Sequence, residues 1–243
     1  MLTEKNFITV VCFLWTDQER RRDYVFGGEH VLTLKRMVDR NLTVPHEFVC
    51  VCDNPPPADI AKQMGIRFVR LDPVKHVPGT VFVRLMMRKP NIGGVLGRRI
   101  LCLDLDCVIV GNIDHLVLRP EPSVFWRNPN YGQPGRAFYQ TSIQLFTAGS
   151  HSELWTDFDP LVTPTWVNRR FGGAEQAWVS ERLSWDLPTF ADSDGIYGAG
   201  RLGGNGVYTE LPKDARIVFT PGNREPSQPE TQAKHPWIKE YYK

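Results

Sequence analysis

An α/β domain built around a mostly parallel sheet is the architecture expected of this chain. Nearly continuous apolar runs recur along it, segments of helical spacing separate the first of them, and breaker residues mark the boundaries. Phe7 to Trp15 is the first run, with the nearly continuous apolar character of a strand buried on both faces. His30 to Arg40 then sets Val31, Leu34 and Val38 at helical spacing. Glu47 to Cys52 reads as the second strand and ends in Asp53-Asn54-Pro55-Pro56-Pro57, which no strand or helix continues through. Ala58 to Met64 fits a short helix stopped by Gly65, and Ile66 to Leu71 a third strand. Alternation of this kind places ligands beyond the carboxyl ends of the strands.

Further along, Arg99 to Leu103 is a strand, followed at once by Asp104-Leu105-Asp106 and a second apolar run, Cys107 to Val110. Ser123 to Trp126 and Ser142 to Phe146 are strand-like, whereas Glu153 to Phe158 and Glu175 to Leu183 have helical spacing. The last third is rich in Gly and Pro, and Pro221 to Lys243 has almost no periodicity. With no internal repeat and no low-complexity linker, residues 1–243 read as one domain with a loop-rich C-terminal part.

Composition narrows the function. A 42% apolar and 23% charged chain is ordinary for a globular protein, and a net charge of +2 makes no case for nucleic acid or membrane as partner. No apolar stretch approaches the roughly 18 residues of a membrane span, and the N-terminal run, broken by Thr9, lacks a small-residue cleavage site. Cys12, Cys50, Cys52, Cys102 and Cys107 all lie in or beside strand-like runs, as reduced thiols of a cytoplasmic protein would. Cys50 and Cys52 with His46 lack the spacing of a zinc site.

The informative stretch is Ile100 to Val110, where Asp104 and Asp106 interrupt an apolar segment. An ionised carboxylate in such surroundings needs water, a cation or a strong partner. Residues two apart on an extended chain point the same way, so the two aspartates are expected to approach one cation together. Oxygen ligands favour Mg²⁺ or Mn²⁺, and such sites combine one or two carboxylates with substrate phosphates. The plainer reading is a pair of aspartates capping a turn. An EF-hand loop is a further alternative, against which His115 at the twelfth position from Asp104, in place of Glu, argues.

The segment from Leu101 to Asp106 and on through Val110-Gly111-Asn112-Ile113-Asp114 resembles the Asp-x-Asp motif of GT-A-fold glycosyltransferases, in particular the family 8 (glycogenin-like) enzymes and their bacterial and phage relatives. Phe48 to Asp53 resembles that family's second strand, and Arg84 to Pro90 its basic helix near the donor. Tyr139 to Leu145 sits where the family has an Asn-Ser-Gly strand, and Gly172 to Trp178 resembles its Gly-x-Asp-Gln helix start. Two positions depart: Glu175 stands where Asp is usual, and Pro221 stands where a metal-binding His falls in a late His-x-Gly segment. Proline carries no ligand atom, so the third ligand is expected from His235 or from water.

The resemblance implies transfer of a sugar from a nucleotide-diphosphate sugar, UDP-linked in expectation, to an acceptor with retained configuration. It implies a nucleotide-sugar and metal-binding half over 1–115 and an acceptor half with the tail over 116–243. Asp104 and Asp106 would hold Mn²⁺ or Mg²⁺, with His235 as the further ligand. Trp15, Thr16, Asp17 and Tyr24 would flank the base, while Arg84, Lys89, Asp104 and Leu105 complete the donor site. Glu175 and Gln176 would face the reacting sugar, although an acid at a helix start also suits the helix dipole alone. The acceptor is a glycan, a small molecule or, as in phage enzymes, a modified pyrimidine in DNA; a non-catalytic sugar-nucleotide-binding module is the third reading. Asp192-Ser193-Asp194-Gly195 is better explained by turn chemistry than as a second metal motif. Gly198 to Gly203 matches G-x-G-x-x-G, but with no clear strand before it and no helix after it the match argues against a dinucleotide loop.

Overall fold

The first apolar run becomes the central strand β1 (Ile8–Leu14), and its side chains alternate across two cores. Val10 and Cys12 enter one hydrophobic cluster, Val11 and Phe13 the other. Burial on both faces explains why the run is apolar but for Thr9. The computed structural model describes residues 7–15, 26–71, 81–133, 135–171, 175–199, 210–220 and 225–243.

Helix α1 (Gly28–Asn41) leads to β2 (His46–Cys52), α2 (Ala58–Met64) and β3 (Arg67–Arg70). Gly65 ends α2 in the left-handed conformation, φ 63°, and returns its N–H to Ala61 and Lys62. A 3-10 helix (Val81–Arg88) and α3 (Gly93–Leu96) precede β4 (Arg99–Leu103) and β5 (Cys107–Ile109). Next come α4 (Asp114–Val117), β6 (Ser123–Arg127), β7 (Tyr139–Thr147), α5 (Glu153–Thr156), α6 (Thr163–Phe171) and α7 (Glu175–Arg182). The chain continues through β8 (Thr189–Phe190), a second 3-10 helix (Asp192–Asp194), β9 (Ile196–Gly198) and β10 (Ile217–Phe219), then α8 (Pro229–Lys234) and α9 (Ile238–Tyr241).

Among the described residues seven strands form the main sheet in the order β3-β2-β1-β4-β7-β6-β8. The pairs β1 with β2, β1 with β4 and β2 with β3 are parallel, and β7 alone runs against its neighbours β4 and β6. The expected mostly parallel α/β sheet is therefore present. One face carries α1, whose Val31, Leu34 and Val38 are buried. The other face carries the 3-10 helix and α5 to α7. Each fully buried Leu, Phe or Met contributes about 1.5–3 kcal/mol by leaving water.

The strand-like run Cys107 to Val110 does not extend the main sheet. Its β5 joins a separate three-stranded sheet in the order β5-β10-β9, which shares the α1-side core. The G-x-G-x-x-G segment begins in β9, so it does follow a strand; residues 200–203 lie outside the described residues. The segment expected to be a basic α-helix is a 3-10 helix over Val81–Arg88. Helices α6, α8 and α9 are short elements that weak periodicity conceals. All five cysteines are free and buried, and no helix among the described residues is long and apolar enough to cross a membrane.

The tail is fastened to the start of α1 by a buried ionic contact. His30 Nε2 lies 3.4 Å from Glu225 Oε1, and the Glu225 carboxylate also accepts from Ser227 N (2.7 Å) and Ser227 Oγ (2.5 Å). In the neutral ring His30 Nδ1 accepts from Gly27 N at 2.9 Å and Nε2 carries the N–H that meets Glu225; in the imidazolium both nitrogens are donors, and Nδ1 faces Glu29 Oε1 at 3.0 Å. Burial pulls the imidazole down, but Glu225 and Glu29 outweigh it and His30 is raised; burial lifts Glu225, yet His30 and Ser227 bring it below its ordinary value. A raised His stabilises fully below about pH 6.5 and loses that contribution as pH rises through its folded value. The depressed Glu225 contributes above the usual carboxylate range and loses it as pH falls. Glu225→Gln should therefore cost about 1.5–3 kcal/mol in urea unfolding at pH 6, and less at pH 9. An equal loss at both pH values would show that fit rather than charge holds the tail.

Candidate functional site at the carboxyl edge of the sheet

The chain leaves the sheet at Leu103 and turns through Leu105 and Asp106 before β5 begins. The aspartates are thus carried on a turn between two sheets, not on one extended strand as their spacing predicts. Asp104 N–H donates to Ser142 O of β7 at 2.9 Å, which ties it to the main sheet. Asp106 O accepts from Thr220 N (2.8 Å) and Thr220 Oγ1 (2.9 Å), just past β10 of the small sheet. The Asp104 side chain is 26% exposed, Asp106 is buried and Leu105 packs into the α1-side core.

Arg84 joins this turn to two other segments. It is buried, and its guanidinium donates through Nη1 to Asp104 Oδ1, through Nε to Glu175 Oε2 at 2.7 Å and through Nη2 to Thr141 Oγ1 at 2.6 Å. A rigid fork of donors suits this three-way role better than a lysine ammonium. The register between β6 and β7 shifts from Phe125↔Gln144 to Trp126↔Gln140, so Thr141 to Ile143 bow away from β6 beside Arg84. Burial would lower the Arg84 guanidinium, but Asp104 and Glu175 raise it. Glu175, at the start of α7, is held above the usual carboxylate range by burial even with Arg84 against it.

Behind this group lies a second buried cation. Arg88 Nη2 donates to Gln144 Oε1 at 2.5 Å, and Gln144 Nε2 donates to Thr141 O at 3.1 Å and reaches Glu175 Oε1 at 3.5 Å. Burial pushes Arg88 down to about 10, with Glu175 the largest opposing influence.

The sequence-derived candidates divide accordingly. Asp104, Leu105 and Asp106 lie on the turn, and Arg84 and Glu175 converge on it, with half-buried Gln176 next in α7. Trp15 follows β1 at the same edge and packs half-buried against the cluster containing Val11 and Phe13. Lys89 is placed elsewhere: its Nζ lies 4.9 Å from the Trp155 ring centre, beyond the C-terminal end of the reversed strand β7 and so at the opposite edge. His235 is buried at the end of α8, its ring 6.0 Å from that of Trp237. Thr16, Asp17, Tyr24 and Pro221 lie outside the described residues. Among the described residues no three or more His, Cys, Asp and Glu side chains are grouped to hold a metal. Two carboxylates at a strand end still suit a hard cation whose shell is completed by phosphate and water.

Thr141, Gln144 and Arg88 were not singled out from the sequence. The signal was present: Gln144 is a polar residue within the apolar strand Ile143 to Phe146, and Arg84 interrupts the apolar run Val81 to Met87 while Arg88, four residues on, ends it. A cleft on the same sheet edge is lined by Arg127, Asn128, Pro129, Tyr131, Ala191, Asp192 and Ser193 and has a volume of about 380 Å³. Asp194 is committed to its turn, accepting from Ala191 N at 2.8 Å.

No protein-family profile matches the sequence, and no curated protein matches it. Solved structures do. The galactosyltransferase LgtC, in complex with donor and acceptor sugar analogs, superposes with a TM-score of 0.64 at 13% identity, over 96% of this chain and 94% of that one. An active-site mutant of LgtC gives 0.61 at 12% identity with the same coverage. The apo-form glycosyltransferase GlyE of Streptococcus pneumoniae TIGR4 gives 0.61 at 10% identity, over 91% of this chain and 56% of GlyE. The chain thus spans little more than half the length of GlyE. The fold is the GT-A-like fold that the motif resemblance implied.

Arg84→Met leaves the wholly buried Glu175 without its cation. The expected cost is about 3–5 kcal/mol at pH 7.5, measured by urea unfolding. The loss should shrink at pH 5, because Glu175 is then accommodated as the neutral acid. A loss of the same size at both pH values would show that Arg84 does not offset the charge of Glu175.

Proposed function

We propose that the chain is a divalent-metal-dependent glycosyltransferase that moves a hexosyl group from a UDP-sugar to an acceptor with retention of configuration. The observation that carries this reading is Asp104 at the carboxyl end of a central strand, joined through Arg84 to Glu175 at the start of α7. Support comes from the fold shared with LgtC, a galactosyltransferase solved with donor and acceptor sugar analogs. In this reading Asp104 and Asp106 would hold Mn²⁺ or Mg²⁺ together with the donor diphosphate, with water completing the shell, because His235, expected as the further ligand, does not group with the two aspartates. The ion, when bound, supplies positive charge to the departing diphosphate.

The chain's own residues orient the donor. Arg84 adds a fixed cation beside Asp104, already neutralised and therefore needing no reorganisation when charge develops. Glu175 has both carboxylate oxygens engaged, by Arg84 and by Gln144, so it anchors the helix start and is not free to attack the sugar. Gln176, next along, presents its amide to the sugar. Trp15 flanks the base together with Thr16, Asp17 and Tyr24. The cleft beside Tyr131 has the size of a saccharide subsite and receives the acceptor. Buried free thiols suit a cytoplasmic enzyme.

The test is turnover of a panel of UDP-sugars with and without Mn²⁺, read as UDP release and as a thermal shift. One donor should raise the melting temperature only with Mn²⁺, and Asp106→Asn should lower its metal-dependent turnover by roughly a hundredfold or more without unfolding the protein. Full activity in Asp106→Asn, or no response to any donor, would overturn the assignment.

A further inference from the structure

Arg88 is 1% exposed, yet no carboxylate touches it among the described residues. Its guanidinium lies 3.7 Å from the Phe146 ring centre and 5.1 Å from that of Phe125. Nη1 has no hydrogen-bond partner among the described residues, and Nη2 spends its bond on Gln144. A methionine would fill the same slot between two phenylalanines without the cost of burying a cation. Packing therefore does not account for the charge.

The amide of Gln144 does account for it. A glutamine side chain offers one acceptor and one NH₂ group, and the two ends exchange by a simple flip. Guanidinium has only donors, so Arg88 admits Oε1 and nothing else. With Oε1 fixed at 2.5 Å, the NH₂ end must face Thr141 O at 3.1 Å and Glu175 Oε1 at 3.5 Å. The flipped amide would set an oxygen against the carboxylate. Glu175 is consequently held on both sides, by Gln144 at Oε1 and by Arg84 at Oε2.

We infer that Arg88 is a positioning residue that fixes the amide direction of Gln144 and through it the Glu175 carboxylate, the first turn of α7 and Gln176. The kinetic consequence rests on the transferase reading above; the amide direction does not.

The experiment compares Arg88→Lys, Arg88→Met and the double variant Arg88→Met with Gln144→Leu, all in the full chain. Lysine also presents donors alone, so Arg88→Lys should keep kcat within about threefold of the unmodified protein. Arg88→Met should lower kcat roughly tenfold or more while donor KM stays within about twofold. A packing role predicts the reverse order, with Met the better tolerated. The double variant removes the Oε1 acceptor together with the cation, which spares an orphaned amide oxygen but leaves Thr141 O and Glu175 Oε1 without the Gln144 NH₂ group, so it should be less stable than the parent and keep the kcat loss. Parental kcat in the folded double variant would overturn the proposal, even if Arg88→Met fails to fold. The ¹H–¹⁵N signal of the Gln144 side-chain amide, identified by its absence in Gln144→Leu, gives a reading without donor. It should shift in Arg88→Met and stay close to parental in Arg88→Lys; an unmoved signal in Arg88→Met would overturn the proposal. If no UDP-sugar is turned over, the transferase reading fails while the amide signal still decides the relay.

Discussion

The buried guanidinium of Arg84 is the contact on which the site depends. It draws together the 3-10 helix, the turn after β4, strand β7 and the start of α7, which are far apart in sequence. A cation in that position is tolerable only because two carboxylates and a hydroxyl meet it; each of those groups is in turn tolerable only because of the cation. The arrangement is mutually required, and it sits on the sheet edge where the main chain is already committed by strand pairing.

The polar core extends further than Arg84. Arg88, Gln144 and Thr141 lie between the sheet and the α5–α7 layer, where apolar side chains would pack at less cost. Two guanidinium groups on one 3-10 helix thus face one buried carboxylate and one half-buried carboxylate. The layer on the α1 side is different: its cluster is largely apolar, and a buried ionic contact, His30 with Glu225, fastens the tail at the rim.

Much of this was legible in the sequence for a simple reason. Strands β1, β2 and β4 are buried on both faces over most of their length, so those residues had to be mostly apolar, and Gly65 marked a helix end that demands a left-handed residue. Asp104 stood out because a carboxylate within such a run needs a partner. What stayed hidden depends on pairing between distant segments. Nothing local distinguishes β5 as a member of a second sheet, since its register with β10 is set by residues more than a hundred positions away. Lys89 looked as suitable as Arg84 for the site, yet the direction of the 3-10 helix across the sheet carries Lys89 to Trp155 at the far edge. Gln144 was passed over because its role arises only when β7 lies against the helix that bears Arg88.

The turn between β4 and β5 has a mechanical meaning. Asp104 is pinned to the main sheet through Ser142, and Asp106 to the small sheet through Thr220. The two carboxylates are fastened to different sheets, and two peptide units span the joint. Any tilt of the small sheet against the large one is read out directly as a change in the spacing of the two aspartates. Conversely, whatever bridges those carboxylates acts as a bolt across the joint, and stiffens the two sheets into one.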